Sequence, residues 1–216
     1  MKSNMKLIVT TFLIFLFNSI TIFSQIYIGA SGGILSTSFT GDAPDDAEYT
    51  IEIGFSGGLL LDIPLTEDIF FSFQPRYLQK GTTISYDVGE DEYKDSLSVK
   101  MDYISFPVIV KIYSLNKRVF FSSGLDPGYL NNASLENLMD GSSSDINDFF
   151  EKWDISAAFG LGVNIPVGLP IISLELRYEQ SLNNLSDISD KESGTTIPYR
   201  FRTTGFQLLV GVLIPL

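Results

Sequence analysis

Asp154, Ser156, Ala158, Gly160, Gly162 and Asn164 alternate with Ile155, Ala157, Phe159, Leu161, Val163 and Ile165, so one segment has a small or polar side and a large apolar side. That is the period of a β-strand. The small side constrains the fold most. The second face of a soluble sheet shows water Lys, Glu and Thr, whereas Gly, Ala, Ser and Asn fit the crowded interior of a narrow closed barrel. The apolar side is therefore expected to face outward, into lipid.

The first residues add a compartment. Lys2 and Lys6 precede the apolar run Leu7 to Phe17, and a small residue, Ser24, stands just before the first alternating segment. This is the order of a secretory signal peptide, with cleavage expected between Ser24 and Gln25. The alternative, an uncleaved anchor helix, is weakened by Asn18, Ser19 and Thr21. The expected division is residues 1–24 as signal peptide and residues 25–216 as one barrel domain, since no Pro/Gly/Ser-rich linker divides the remainder. Loss of the two leader lysines takes the formal charge from −12 to −14, a balance that disfavours nucleic acid as a partner.

Cys and His are both absent. Cys and His metal sites, Ser-His-Asp hydrolysis and Cys-His chemistry are thereby excluded, and stability falls to the hydrogen-bonded wall of the barrel. After the leader no apolar run approaches the roughly 20 residues a membrane helix needs. Any crossing must be by strands.

Eight alternating segments are expected near Ile26 to Phe39, Tyr49 to Asp62, Ile69 to Ser85, Val99 to Tyr113, Val119 to Asn131, Lys152 to Ile165, Ile171 to Leu185 and Arg200 to Ile214. The connections Asp62 to Asp68, Ser114 to Arg118 and Pro166 to Pro170 are short, while Thr40 to Glu48, Tyr86 to Ser98, Asn132 to Glu151 and Ser186 to Tyr199 are long and polar. Membrane barrels show this asymmetry, with short periplasmic turns and long outer loops. The expected fold is all-β, an eight-stranded antiparallel up-and-down transmembrane β-barrel in the bacterial outer membrane with both termini periplasmic.

The outward faces carry no charge: Ile51, Ile53, Phe55, Gly57, Leu59 and Leu61; Phe71, Phe73, Pro75 and Tyr77; Ile104, Phe106, Val108, Val110 and Ile112; Ile172, Leu174, Leu176 and Tyr178; Phe206, Leu208, Val210, Val212 and Ile214. Lipid enforces such exclusion, because Lys or Arg near the bilayer midplane costs roughly 2–4 kcal/mol. Tyr27, Tyr77, Tyr103, Tyr113, Tyr129, Tyr178 and Tyr199 fall near strand ends, where an aromatic girdle sits. Pro75 and Pro107 lie inside strands and predict local irregularities. Leu209 and Leu213, apolar on the inward face, predict a plug at the barrel floor.

Four stretches carry a family likeness: Phe73-Gln74-Pro75-Arg76-Tyr77-Leu78-Gln79-Lys80-Gly81, Tyr103-Ile104-Ser105-Phe106-Pro107-Val108-Ile109-Val110-Lys111, Gly124 followed by Pro127-Gly128-Tyr129-Leu130, and Leu176-Arg177-Tyr178-Glu179-Gln180-Ser181-Leu182-Asn183-Asn184. In this order they resemble the PorT-like outer-membrane barrel family of Bacteroidota. The resemblance implies an eight-stranded outer-membrane barrel, and one branch of that family is similar to a component associated with the type IX secretion machinery. Its members often end in an aromatic residue. This chain ends Ile214-Pro215-Leu216.

Two sets of residues are candidates for function. The inward positions Glu175, Arg177 and Glu179 of the seventh strand are expected to face Arg76 across the lumen, with Lys111 joining from the fourth; a structural ion cluster outweighs acid/base catalysis there. In the third long loop, Ser134 before Leu135 to Met139 and Asp145 before Ile146 to Phe150 predict two short capped helices. Leu135, Leu138, Phe149, Phe150 and Trp153 then form a candidate surface for a protein partner, with Trp153 read first as an interface anchor. The acidic loops, with Asp42, Asp45, Asp46 and Glu48, Asp87 to Asp95, Asp140, Asp145, Asp148 and Glu151, and Asp187, Asp190 and Glu192, match no EF-hand spacing and are expected to be solvated surface. No catalytic, cofactor or metal residue is expected.

The leading expectation is a non-enzymatic integral outer-membrane barrel that acts as an anchor, adaptor or accessory subunit of a secretion or surface complex, in contact with outer-membrane lipid. The alternatives are an outer-membrane lipid-modifying enzyme, disfavoured by the absence of His, and a soluble lipocalin-like carrier, which would reverse the two faces. A pore is disfavoured because eight strands enclose only side chains.

Overall fold

Alternation becomes geometry residue by residue. In the computed structural model, which describes residues 25–42, 47–86, 95–114, 116–139, 141–185 and 200–216, the segment Trp153–Pro166 is one strand. Its Asp154, Ser156, Ala158, Gly160, Gly162 and Asn164 are buried, and Ile155, Phe159, Leu161, Val163 and Ile165 are exposed. The expected leader lies outside the described residues.

The described strands are β1 (Tyr27–Gly41), β2 (Ala47–Pro64), β3 (Ile69–Phe73), β4 (Arg76–Tyr86), β5 (Asp95–Ser105), β6 (Val108–Tyr113), β7 (Val119–Asn137), β8 (Ser143–Asp145), β9 (Trp153–Pro166), β10 (Ile171–Ser181) and β11 (Phe201–Pro215). All their pairings are antiparallel, and β1 pairs with both β2 and β11, so the sheet closes on itself. β3 with β4 forms one stave of the wall, β5 with β6 another, and β8 only folds back on β7. The wall is a ring of eight staves. Closure leaves the wall without a free edge, which is what a sheet in lipid requires.

Each divided stave breaks at a proline, as expected. The ladder is interrupted at Gln74-Pro75 and at Phe106-Pro107, because proline has no N–H to give. Neighbouring staves bridge the gaps: the Leu59 N–H donates to the Pro75 carbonyl at 2.9 Å, the Gln74 N–H to the Pro107 carbonyl at 3.1 Å, and the Phe106 N–H to the Pro127 carbonyl at 2.9 Å. A second irregularity had no signal in the pattern. Between Ile51 and Ser56, β2 holds one residue more than β4, a β-bulge.

Gly160 and Gly162 show why the inner face is small. A Cβ on Gly162 would stand 2.1 Å from Cζ of Phe120, and one on Gly160 would stand 2.5 Å from the Ser122 hydroxyl. Side chains of the paired stave β7 already occupy both places, since Phe120 stands opposite Gly162 and Ser122 opposite Gly160 in the ladder.

The third long connection departs from expectation. Leu135 to Met139 does not form a helix: β7 runs on to Asn137 and turns into β8. Ala133 and Leu135 keep the period of two, and Val99 pairs with Leu135, so tertiary pairing overrides the capping signal. The second expected helix is a single 3-10 turn, Asn147–Phe149, where Asp145 Oδ1 accepts the Asn147 N–H at 2.9 Å. At its 19 residues and ~3.3 Å each, β7 is about 60 Å long, far beyond the 9–11 residues that cross a bilayer. No helix among the described residues is long and apolar enough to cross a membrane.

Candidate lumenal site and rim

The lumen is filled in three layers. Nearest the short turns lies an apolar floor of Phe70, Tyr113 and Phe120, with Leu213 buried beside it and Tyr27 packed against Phe70. Nearest the long connections lies an apolar plug in which Leu35, Phe39, Leu78, Met101, Tyr103, Leu130, Phe150 and Phe201 meet. Charge is confined between them.

The charged layer has two tiers. In the upper tier Arg76 of β4 lies 2.5 Å from Asp126 of β7 and 2.6 Å from Glu179 of β10. It also donates to Gln207 of β11 at 2.8 Å, and Lys80 reaches Asp154 of β9 at 2.8 Å. In the lower tier Arg177 donates to Glu175 at 2.8 Å and, across the lumen, to Gln74 at 2.9 Å. Lys111 pairs with Asp62 of β2 at 2.8 Å, and Asp62 also accepts the Ser72 hydroxyl. All these charged side chains are at most 6% exposed.

The five residues picked from the sequence are thus all buried in the lumen, with two differences of detail. Lys111 pairs with Asp62 and stands over the Phe120 ring, and it makes no bridge to Glu175 or Glu179. Four members were missed: Asp62, Lys80, Asp126 and Asp154. Their signal was the parity of the strands, since Lys80 follows Gln74, Arg76 and Leu78 on the inner face and Asp126 follows Phe120, Ser122 and Gly124. The result is five carboxylates against four cations, and apart from Arg177 with Glu175 on β10 the bridges join staves that do not pair with each other.

The rim must be corrected more heavily. Phe150 is not available to a partner: at 7% exposure it packs on Phe201 at 5.8 Å and on Phe39 at 6.4 Å, as part of the plug. Leu135 also packs against the plug. Both side chains are thereby committed to the apolar packing inside the barrel. Leu138, Met139 and Phe149 remain exposed. Trp153 is exposed on the outer wall, edge-on to Tyr129 at 5.3 Å.

Trp153 belongs to a row. Pairing sets Tyr77 beside Ile104, Ile104 beside Tyr129 and Tyr129 beside Trp153, all facing outward. One step above it the wall turns polar. Asp102 there accepts from Tyr77 at 2.6 Å and Gln79 at 3.0 Å, and higher still Lys100 bridges Glu136 at 2.6 Å. Tyr103 and Tyr113, also expected at the girdle, point inward and are buried. Tyr199 lies outside the described residues, as do Asp45, Asp46, Asp87, Glu90, Asp91, Glu92, Asp140, Asp187, Asp190 and Glu192. Among the described residues no group of three or more acids, His or Cys is placed to hold a metal ion.

An uncharged apolar belt bounded by aromatics on a closed ring is the surface that lipid requires. A family model for the outer membrane protein beta-barrel domain matches residues 20–187, well over half of the chain. The chain belongs to this outer-membrane β-barrel family. Its place is the bacterial outer membrane. No curated protein matches the sequence. Among solved structures, OprG from Pseudomonas aeruginosa is 9% identical and covers 89% of this chain and 96% of its own, with a TM-score of 0.49. Neisserial surface protein A is 14% identical, covering 88% and 97%, with a TM-score of 0.48. Ail of Yersinia pestis is 15% identical, covering 88% and 100%, with a TM-score of 0.44.

Between its floor and its plug the described lumen of this outer-membrane barrel is occupied by buried side chains. Among the described residues the spaces inside it include a cavity of about 70 Å³ beside the floor and two pockets of about 10 Å³ among the charged groups, the latter each about the size of one water. The floor, the ion tiers and the plug separate them.

Proposed function

We propose that this barrel is a non-enzymatic anchor, adaptor or accessory subunit of an outer-membrane assembly, related to the PorT-like barrels of Bacteroidota. Residues 1–24 act as a removable signal peptide and residues 25–216 as the barrel. The short-turn end lies in the periplasm and the long connections lie outside. The observation that carries this reading is the filled lumen, whose charged groups are committed to one another across the barrel. A protein built this way offers partners its rim and its wall.

The raised hairpin of β7 and β8 is the partner surface, with Leu138, Met139 and Phe149 as its apolar contacts. Pulldown of the full chain from membranes in mild detergent is the test. It should recover a reproducible partner that is lost when Leu138, Met139 and Phe149 are changed together to Ser. Recovery of the same partner with the triple variant would overturn the rim assignment, and absence of any partner would overturn the adaptor reading.

A further inference from the structure

The cavity of about 70 Å³ at the short-turn mouth has chemistry that the barrel itself does not use. Phe70 and Tyr113, whose rings stand edge-on at 5.0 Å, line its wall together with Ile171 and Leu213. One polar atom of a lining residue, itself buried, is unanswered. Asn164, at 8% exposure, donates its amide N–H to the Tyr113 hydroxyl at 3.2 Å, and its Oδ1 accepts no hydrogen bond. Asp62 also lines the space, but its two oxygens are taken by Ser72 and Lys111.

A cation stands at the opening. Lys117 lies in the turn between β6 and β7 with φ of 55°, and its exposed side chain lines the same cavity. The Asn164 backbone N–H donates to the Arg118 carbonyl at 2.6 Å, so the unanswered oxygen and Lys117 sit on neighbouring stretches of backbone. Volume then limits the apolar part of a ligand. A cavity of ~150 Å³ holds benzene, so about half that volume suits three or four carbons.

We propose that this mouth binds a small aliphatic carboxylate bearing an N–H on the carbon next to the carboxylate. The branched side chain enters between Phe70, Ile171 and Leu213, the N–H donates to Asn164 Oδ1, and the carboxylate meets Lys117. The C-terminal residue of a peptide has this chemistry, and so does a free N-acyl amino acid. The site stands on its own geometry; a periplasmic source for the ligand rests on the orientation proposed above, and a failure of binding is distinguishable from a failure of orientation.

The test uses the chain in detergent micelles, with the methyl signals of Ile171 and Leu213 followed by NMR. N-acetyl-L-leucine at millimolar concentration should give saturable shifts there, and N-acetylglycine should not. Lys117→Asn, which tolerates the positive φ, should weaken N-acetyl-L-leucine about two- to five-fold, the range of one exposed ion pair. It should leave N-acetyl-L-leucinamide unchanged. Asn164→Leu should abolish the shifts while the rest of the spectrum is retained, and if that variant fails to fold, Lys117→Asn carries the test. A hexapeptide ending in Leu that binds at least as well as N-acetyl-L-leucine identifies a peptide C-terminus as ligand, and loss of binding on extension identifies the free compound. Absence of saturable shifts, or equal shifts with N-acetylglycine, would overturn the proposal.

Discussion

Arg76→Met tests whether the lumen is held by charge complementarity or merely by being full. Methionine replaces most of the stem volume, so the loss is the guanidinium. Its four partners remain: Asp126 at 2.5 Å, Glu179 at 2.6 Å, Gln207 at 2.8 Å and Ser105 at 3.3 Å. Asp126 and Glu179 are then left buried without their guanidinium, with Lys80 3.8 Å from Glu179 as the nearest remaining cation of that bridge set. Removing one member of a buried pair costs roughly 3–5 kcal/mol, because the survivors are left buried and uncompensated. With a urea slope of about 2 kcal/mol per molar, the unfolding midpoint should fall by about 1.5–2.5 M. Trp153, the single tryptophan, sits at the lipid boundary and reports unfolding from vesicles by fluorescence. Adding Asp126→Asn and Glu179→Gln should recover most of the loss, since replacing a whole buried ionic set is often close to neutral. A single variant within about 0.5 M of the parent, or a triple variant no better than the single, would refute the reasoning.

Phe150→Ala should cost about 3–5 kcal/mol in the same titration and Phe149→Ala less than about 0.5, because one ring is inside the plug and the other is exposed. Gly162→Ala should destabilise by about 1–3 kcal/mol through its clash with Phe120, and Phe120→Leu in the same chain should restore part of this; equal stability of single and double variants would contradict the packing. In planar bilayers the purified barrel should show no stable ionic conductance, and a reproducible open state would mean that the floor or the plug is mobile.

Strand number, order and the outward face could be read from the sequence, since each depends on a period of two that lipid and a narrow lumen both enforce. The prolines at 75 and 107 were legible for the same reason: a missing donor leaves its mark wherever the chain is extended. What escaped were features decided by partners far away in sequence. Phe150 reads as an exposed loop residue until Phe39 and Phe201 are known to stand beside it. Leu135 has a helix-capping sequence before it, yet Val99 pairs with it. Lys80, Asp126 and Asp154 lay on inner faces that parity already marked, but their pairing joins staves on different sides of the ring, which no local pattern records.

That pairing bears on how the barrel forms. Ladder hydrogen bonds join only neighbouring staves and can accumulate one hairpin at a time. Arg76 to Glu179, Arg177 to Gln74 and Arg76 to Gln207 join residues more than a hundred positions apart, from the third stave to the seventh and eighth. A half-rolled sheet leaves these groups on a wide wet surface, where their attraction is weak, and only the final curvature brings them together. The ionic tiers therefore reward completion alone, so assembly in the membrane should be all-or-none, with partly closed intermediates too short-lived to accumulate.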